Sequence, residues 1–272
     1  MRKQGIDSLG RPRMIEHTMN KSVKLAELRH SLARHSFHAD QPPILLGNQA
    51  LDGVLGGGLR PGALHEVFAR GWGAGGFAVL LAFLAAGKSF NGKGGPLFWV
   101  RPDYEAMEYG ALSPAGFAEL GGDPRRLVMV KTRNPADALS AAGDILACPH
   151  VGALLLEMEG APKCLDLVAS RRLVLAAEES GATAVMLRCG ASPEPSAALT
   201  RWQVESAPSS PMDDDWGNPV FDAELVRHRL GGLGRFLLKW NLEHGCFDTA
   251  DIGAVAAAPS HRQAYPQARR AV

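Results

Sequence analysis

The chain predicts an α/β fold: a mainly parallel central sheet with helices on both faces and an antiparallel extension toward its C-terminal end. Three observations carry this expectation. Apolar runs of strand length alternate with helix-length segments through the middle of the chain. A strand, a glycine-dense loop and a helix follow one another near residue 70, and beyond residue 198 the hydrophobic period switches toward two. Apolar strands joined by crossover helices are covered on both faces, which is the condition for parallel pairing.

Taken in order, residues 1–43 form a basic arm with a short amphipathic helix. The first forty residues hold eight Lys/Arg against four Asp/Glu, and Val23, Leu25, Leu28 and Leu32 recur at helical spacing. The glycines then crowd together: of 31 in the chain, ten fall between Gly47 and Gly76. Here the pattern predicts a turn, a strand over Ala63–Phe68, a loop over Gly71–Gly76 and a helix from Phe77. Strand-like runs follow at Leu97–Val100, Leu127–Val130, Ala153–Leu156 and Ala184–Leu187. The intervening segments Tyr104–Leu120, Pro135–Ala147 and Leu165–Ser180 are each long enough for a crossover helix. Period-two segments at Leu199–Glu205, Glu224–Leu230 and Arg235–Leu242 predict antiparallel strands on one edge. The first two flank a Pro-rich acidic loop, SAPSSPMDDDWGNPVFD. The core is expected over 44–245, with 246–272 a disordered tail rich in Ala, Pro, Gln and Arg.

Composition narrows the function. Lys+Arg 29 against Asp+Glu 28 leaves a net charge of +1, so only the N-terminal arm offers a basic patch. Its Arg11, Arg13, Lys21, Lys24, Arg29 and Arg34 are the candidates for weak DNA contact. The longest apolar run, Phe77–Ala86, is too short to span a bilayer. Cys148, Cys164, Cys189 and Cys246 show no CxxC pairing and are expected buried and reduced. With no apolar stretch behind the basic start, a cytoplasmic location is expected.

The glycine loop has the frame of a phosphate cradle without its chemistry. A working Walker A loop reads Gly, four residues, Gly, Lys, then Ser or Thr; its amides and lysine hold phosphates and its hydroxyl faces Mg²⁺. Gly71, Trp72-Gly73-Ala74-Gly75 and Gly76 satisfy the frame, but Phe77 and Ala78 occupy the last two positions. Lys88 is no substitute, being about 16 Å farther along the helix axis. Glu157, at the end of Leu154-Leu155-Leu156, is placed like the acid that completes such a site. Gly71, Gly73, Gly75, Gly76 and Glu157 therefore form a degenerate nucleotide site. A structural turn and anion capture by bare amides are its competing readings. No cofactor is expected beyond weak ATP/Mg²⁺ binding. His65-Glu66 begins an HExxH-like string, but Ala69 breaks the zinc spacing.

LDGVLGGGLRPGALHEV, followed by the glycine loop, resembles the entry to the RecA-like P-loop core. The resemblance covers 44–245 and places Gly71–Ala78 on the nucleotide loop and Glu157 on the Walker B acid. The glutamate that such proteins carry after the next strand would fall near Val100-Arg101-Pro102, where no acid sits. A basic N-terminal segment, a RecA-like core, a degenerate Walker A loop and an acidic extension together resemble the ImuA family, accessory proteins of the bacterial translesion mutasome. That resemblance implies a non-catalytic adaptor in DNA-damage-induced (SOS) mutagenesis. Its implied partners are ImuB, a Y-family polymerase relative, and an error-prone C-family DNA polymerase, with contact to RecA as a further implication. Candidate docking residues are Leu25, Leu28 and Leu32 on the helix and Asp214 and Trp216 in the acidic loop. The alternatives are an ATP-dependent DNA-binding RecA paralogue and a cell-division inhibitor of the SulA type.

Overall fold

The structure is a computed structural model. It describes residues 41–250 except 72, 89–93, 105–112, 149 and 210–216. The candidate residues of the basic arm, Arg11, Arg13, Lys21, Lys24, Leu25, Leu28, Arg29, Leu32 and Arg34, lie outside the described residues, as do Asp214 and Trp216.

Nine strands form one sheet. They are β1 (Leu64–Arg70), β2 (Leu97–Pro102), β3 (Leu127–Thr132), β4 (Ala153–Glu159), β5 (Thr183–Cys189), β6 (Thr200–Ala207), β7 (Val220–His228), β8 (Gly234–Asn241) and β9 (Cys246–Thr249), in the order β3-β2-β4-β5-β1-β6-β7-β8-β9. The six strands from β3 to β6 pair in parallel and the last four pair antiparallel. The central strands are buried on both faces, so both alternating side-chain sets are apolar. The period-two segments become the antiparallel extension.

Among the described residues the helices are α1 (Gln49–Val54), α2 (Gly76–Lys88), α3 (Pro114–Glu119), α4 (Pro135–Leu146) and α5 (Leu167–Ser180). Local chemistry sets their ends. Asn134 and Asp166 cap α4 and α5 by accepting from the Asp137 and Ala169 amides. Gly181, at φ 77°, closes α5 in a left-handed turn that a Cβ would strain. Helix α2 covers one sheet face, above Val67, Leu155, Val185 and Trp202, while α4 and α5 cover the other, above Leu64, Leu154, Leu156 and Met186.

Three expectations are corrected. Residues 49–54 form a helix rather than a turn, because the Asn48 side chain accepts from the Leu51 amide and starts one. Within Tyr104–Leu120, Tyr104 is helical, residues 105–112 lie outside the described residues, and a separate short helix, α3, starts at the Ser113 cap with Pro114 in its first turn. The core runs past 245: β9 pairs with β8 and buries Phe247 completely. Its four residues escape a periodicity reading because so short a segment has no repeat to detect. Finally, Cys148 and Cys164 are exposed, and Cys189 and Cys246 are half-buried, all four free. An apolar neighbourhood in sequence did not translate into burial at helix ends and loops.

Candidate functional site

In a parallel sheet the chain leaves each strand at the same end, so loops after different strands gather there. The glycine loop leaves β1 and Glu157 lies near the end of β4, with β5 between them. The topology thus brings the sequence-predicted loop and acid to one sheet edge, on the face covered by α2.

The loop is packed rather than open. Gly71 and Gly73 take φ of 78° and 88°, conformations that favour glycine. A Cβ on Gly73 would stand 2.9 Å from Ser206 Oγ, one on Gly75 3.2 Å from Leu187 and one on Gly76 3.4 Å from Phe221. The first amides of α2 turn back on the loop itself. Gly76 N–H donates to Gly73 O, Phe77 N–H to Ala74 O, and the Ala78 and Val79 amides both donate to Gly75 O, at 3.0–3.3 Å. These four donors are spent inside the turn.

Phe77 then fills the interior. It is fully buried, its ring centroid 5.6 Å from that of Trp202, 5.7 Å from Phe221 and 5.3 Å from Phe247. Ala74 and Ala78 beside it are also fully buried. Where a motor keeps an ammonium, this chain has an aromatic cluster drawn from α2, β6, β7 and β9.

Glu157 is 6% exposed and is held by two residues of β2. Trp99 Nε1 donates to its Oε2 at 2.8 Å, and Arg101 Nε lies 3.4 Å from the same oxygen. Burial pushes the carboxyl above its usual range, while Arg101 and the Trp99 bond pull it back. Arg101 is itself 4% exposed. The parallel register explains the meeting, because Trp99 pairs with Leu155 and Val100 with Leu156, which carries Arg101 alongside Glu157. Between this pair and the loop stands Leu187, the register partner of Glu157 and the side chain against Gly75. The acid is separated from the loop by hydrocarbon.

Sequence reading placed the loop and Glu157 but missed Arg101 and Trp99 as partners of the acid. The signal was present: Leu97, Trp99 and Arg101 alternate with the same phase as Ala153, Leu155 and Glu157. The same alternation dissolves the HExxH-like string. His65 faces Thr200 and the Arg60 carbonyl, whereas Glu66 turns to the opposite face and pairs with Arg201 at 3.2 Å. Among the described residues no group of three or more His, Cys, Asp or Glu could hold a metal ion. No helix of theirs is long and apolar enough to cross a membrane.

A glycine loop after the first parallel strand, an acid on the fourth and the order β3-β2-β4-β5-β1 define a RecA-like α/β core. The crystal structure of the RadB recombinase superposes with a TM-score of 0.51 at 14% identity, covering 76% of this chain and all of that one. No protein-family model matches the chain. Protein ImuA of Caulobacter vibrioides, found in two strains, is 36% identical over 214 residues, 73% of this chain and 83% of the relative. The chain belongs to the ImuA family.

Proposed function

We propose that the chain is a non-catalytic RecA-like adaptor in DNA-damage-induced translesion synthesis and mutagenesis, acting with an ImuB-type Y-family polymerase relative and an error-prone C-family DNA polymerase. Membership of the ImuA family supports the pathway. One observation above all supports the adaptor role: Phe77 is buried among Trp202, Phe221 and Phe247 where nucleotide chemistry needs a cation. Phosphoryl transfer is catalysed by positioning and charge neutralisation, and neither a lysine nor a metal-facing hydroxyl is in the loop. The acid is instead engaged by Arg101. What remains is a rigid α/β scaffold whose surfaces can dock partners, with any DNA contact through the basic arm weak.

The test has two arms. The purified chain with Mg-ATP is expected to release phosphate no faster than buffer, and Glu157→Gln, which keeps an oxygen for the Trp99 bond, is expected to support damage-induced mutagenesis in cells at normal protein level. Turnover abolished by Glu157→Ala would establish the ATP-dependent paralogue instead. Failure of the chain to associate with an ImuB-type protein would remove the adaptor reading.

A further inference from the structure

We propose that the outward face of α5 is covered by the chain's own N-terminal arm, with the segment Val23–Leu32 laid along it as a second helix. Helix α5 is apolar on two sides. Ser170, Leu173 and Ala177 are buried against the sheet. Val168 and Leu175 stand about half a turn around the axis from that stripe. Leu167, Val168 and Leu175 are 54%, 57% and 53% exposed, and among the described residues of α1–α5 only α5 carries large exposed hydrophobic side chains. The slot between α4 and α5, which Ala169 and Leu173 help to line, lies to one side of this face. A helix that is apolar on both sides belongs between two layers.

Spacing and reach point to the arm. Val168 and Leu175 are two turns apart, about 10 Å along the axis. Leu25 and Leu32 repeat that spacing, with Leu28 between them, on the segment whose sequence predicts an amphipathic helix. Leu28 would then lie over the aliphatic stem of Arg171, the residue between Val168 and Leu175 on the same face. Residues 1–40 lie outside the described residues, and the chain enters those at Gln41. Ile44 and Leu59 exchange backbone hydrogen bonds at 2.8 Å, and a Cβ on Gly62 would stand 3.4 Å from the Cα of Gly181, at the end of α5. The two legs of that path, Gln41 to Ile44 and Leu59 to Gly62, cover at most about 21 Å. Residues 33–40 extend to about 28 Å, enough to set Leu32 beside Leu175 and Leu25 beside Val168.

Charge separates the arm from a second copy. In this parallel arrangement Arg34 follows Leu32 toward Glu178 and Glu179 in the last turn of α5, where the carbonyl end of the helix also favours a cation. A second α5 packed antiparallel, Val168 on Leu175, would instead bring Arg171 against Arg172 of its mate on both sides of the two-fold axis. The docking is independent of nucleotide chemistry, so measured ATP turnover would overturn the preceding section and leave it standing.

Hydrogen–deuterium exchange of the full chain, read by mass spectrometry at low and high protein concentration, tests this. Amides of residues 25–32 are expected to exchange at least about tenfold more slowly than those of residues 5–15 in the same arm. A ten-residue helix in water is too marginal to give that protection alone. The double variant Val168→Asp/Leu175→Asp, on exposed positions of α5, should abolish it while the amides of β4 and β5 stay protected. Equal exchange of residues 25–32 and 5–15 in the unaltered chain would overturn the proposal, as would protection that survives the double variant. Protection present only at high concentration would also overturn it, giving the face to the arm of a second copy.

Discussion

Two buried ionisable residues are governed by what surrounds them. Burial pushes the Glu157 carboxyl upward while Arg101 and Trp99 hold it back, so removing the guanidinium shifts the fold's preference toward the protonated form. In Arg101→Met the carboxyl titrates still higher. Between its unfolded and folded values the native state then binds the extra proton, so stability falls as pH rises. The expected loss is small near pH 5 and about 3–5 kcal/mol at pH 8, the range for orphaning one half of a buried pair. Urea unfolding at the two pH values measures it; equal losses would show that Arg101 does not control the charge. His65 has the opposite sign. Burial lowers it from 6.5 to about 4, the native state holding it neutral between Thr200 and the Arg60 carbonyl. The unfolded chain therefore binds the proton first, and stability is lost as pH falls from about 6.5 to about 4, by about 3 kcal/mol in all. His65→Gln should flatten that stretch of the stability–pH curve, and an unchanged slope would place the titrating group elsewhere.

At the scale of elements, the β1–loop–α2 unit packs a loop with the Walker A frame into the core. Once Phe77 points inward, its energetics are those of a buried aromatic. Phe77→Ala should cost about 3–5 kcal/mol in chemical denaturation. Phe77→Lys should cost more, because an ammonium in that cluster has no partner. Restoring the motif letters with Phe77→Lys and Ala78→Thr is thus expected to unfold the unit before it binds nucleotide, and a stable double variant would contradict the packing described. Glycines elsewhere separate by what faces them. A Cβ on Gly152 would lie 2.6 Å from the Gly95 carbonyl carbon, whereas one on Gly143 meets nothing within 4 Å. Gly152→Ala should cost about 1–3 kcal/mol through backbone displacement. Gly143→Ala, inside α4, should gain about 0.5–1 kcal/mol of helix propensity. Thermal unfolding of both variants tests the contrast.

At the scale of the whole molecule, the non-catalytic role proposed above predicts little gain from nucleotide. A ligand binding weaker than millimolar adds at most about 0.4 kcal/mol at 1 mM, so Mg-ATP should move the midpoint of thermal unfolding by no more than about 1 °C. A shift of several degrees would mean that the loop opens. The central strands β1, β4 and β5 are covered on both faces, and Trp202, Trp240 and Phe247 close the antiparallel side.

Much of this was legible in the chain. Alternating apolar runs and helix-length segments determined the parallel sheet, the period-two segments determined its antiparallel extension, and Phe77-Ala78 after Gly76 determined the loss of motor residues, because each of these is encoded within a few neighbouring positions. The tertiary structure alone decided where those letters point. Arg101 meets Glu157 across strand register, Phe77 meets Phe247 across 170 positions, and the slot between α4 and α5 exists only once both helices lie on the sheet. Local patterns record a residue's own conformational preference, whereas partnership between distant residues depends on topology and close packing, which no short window contains.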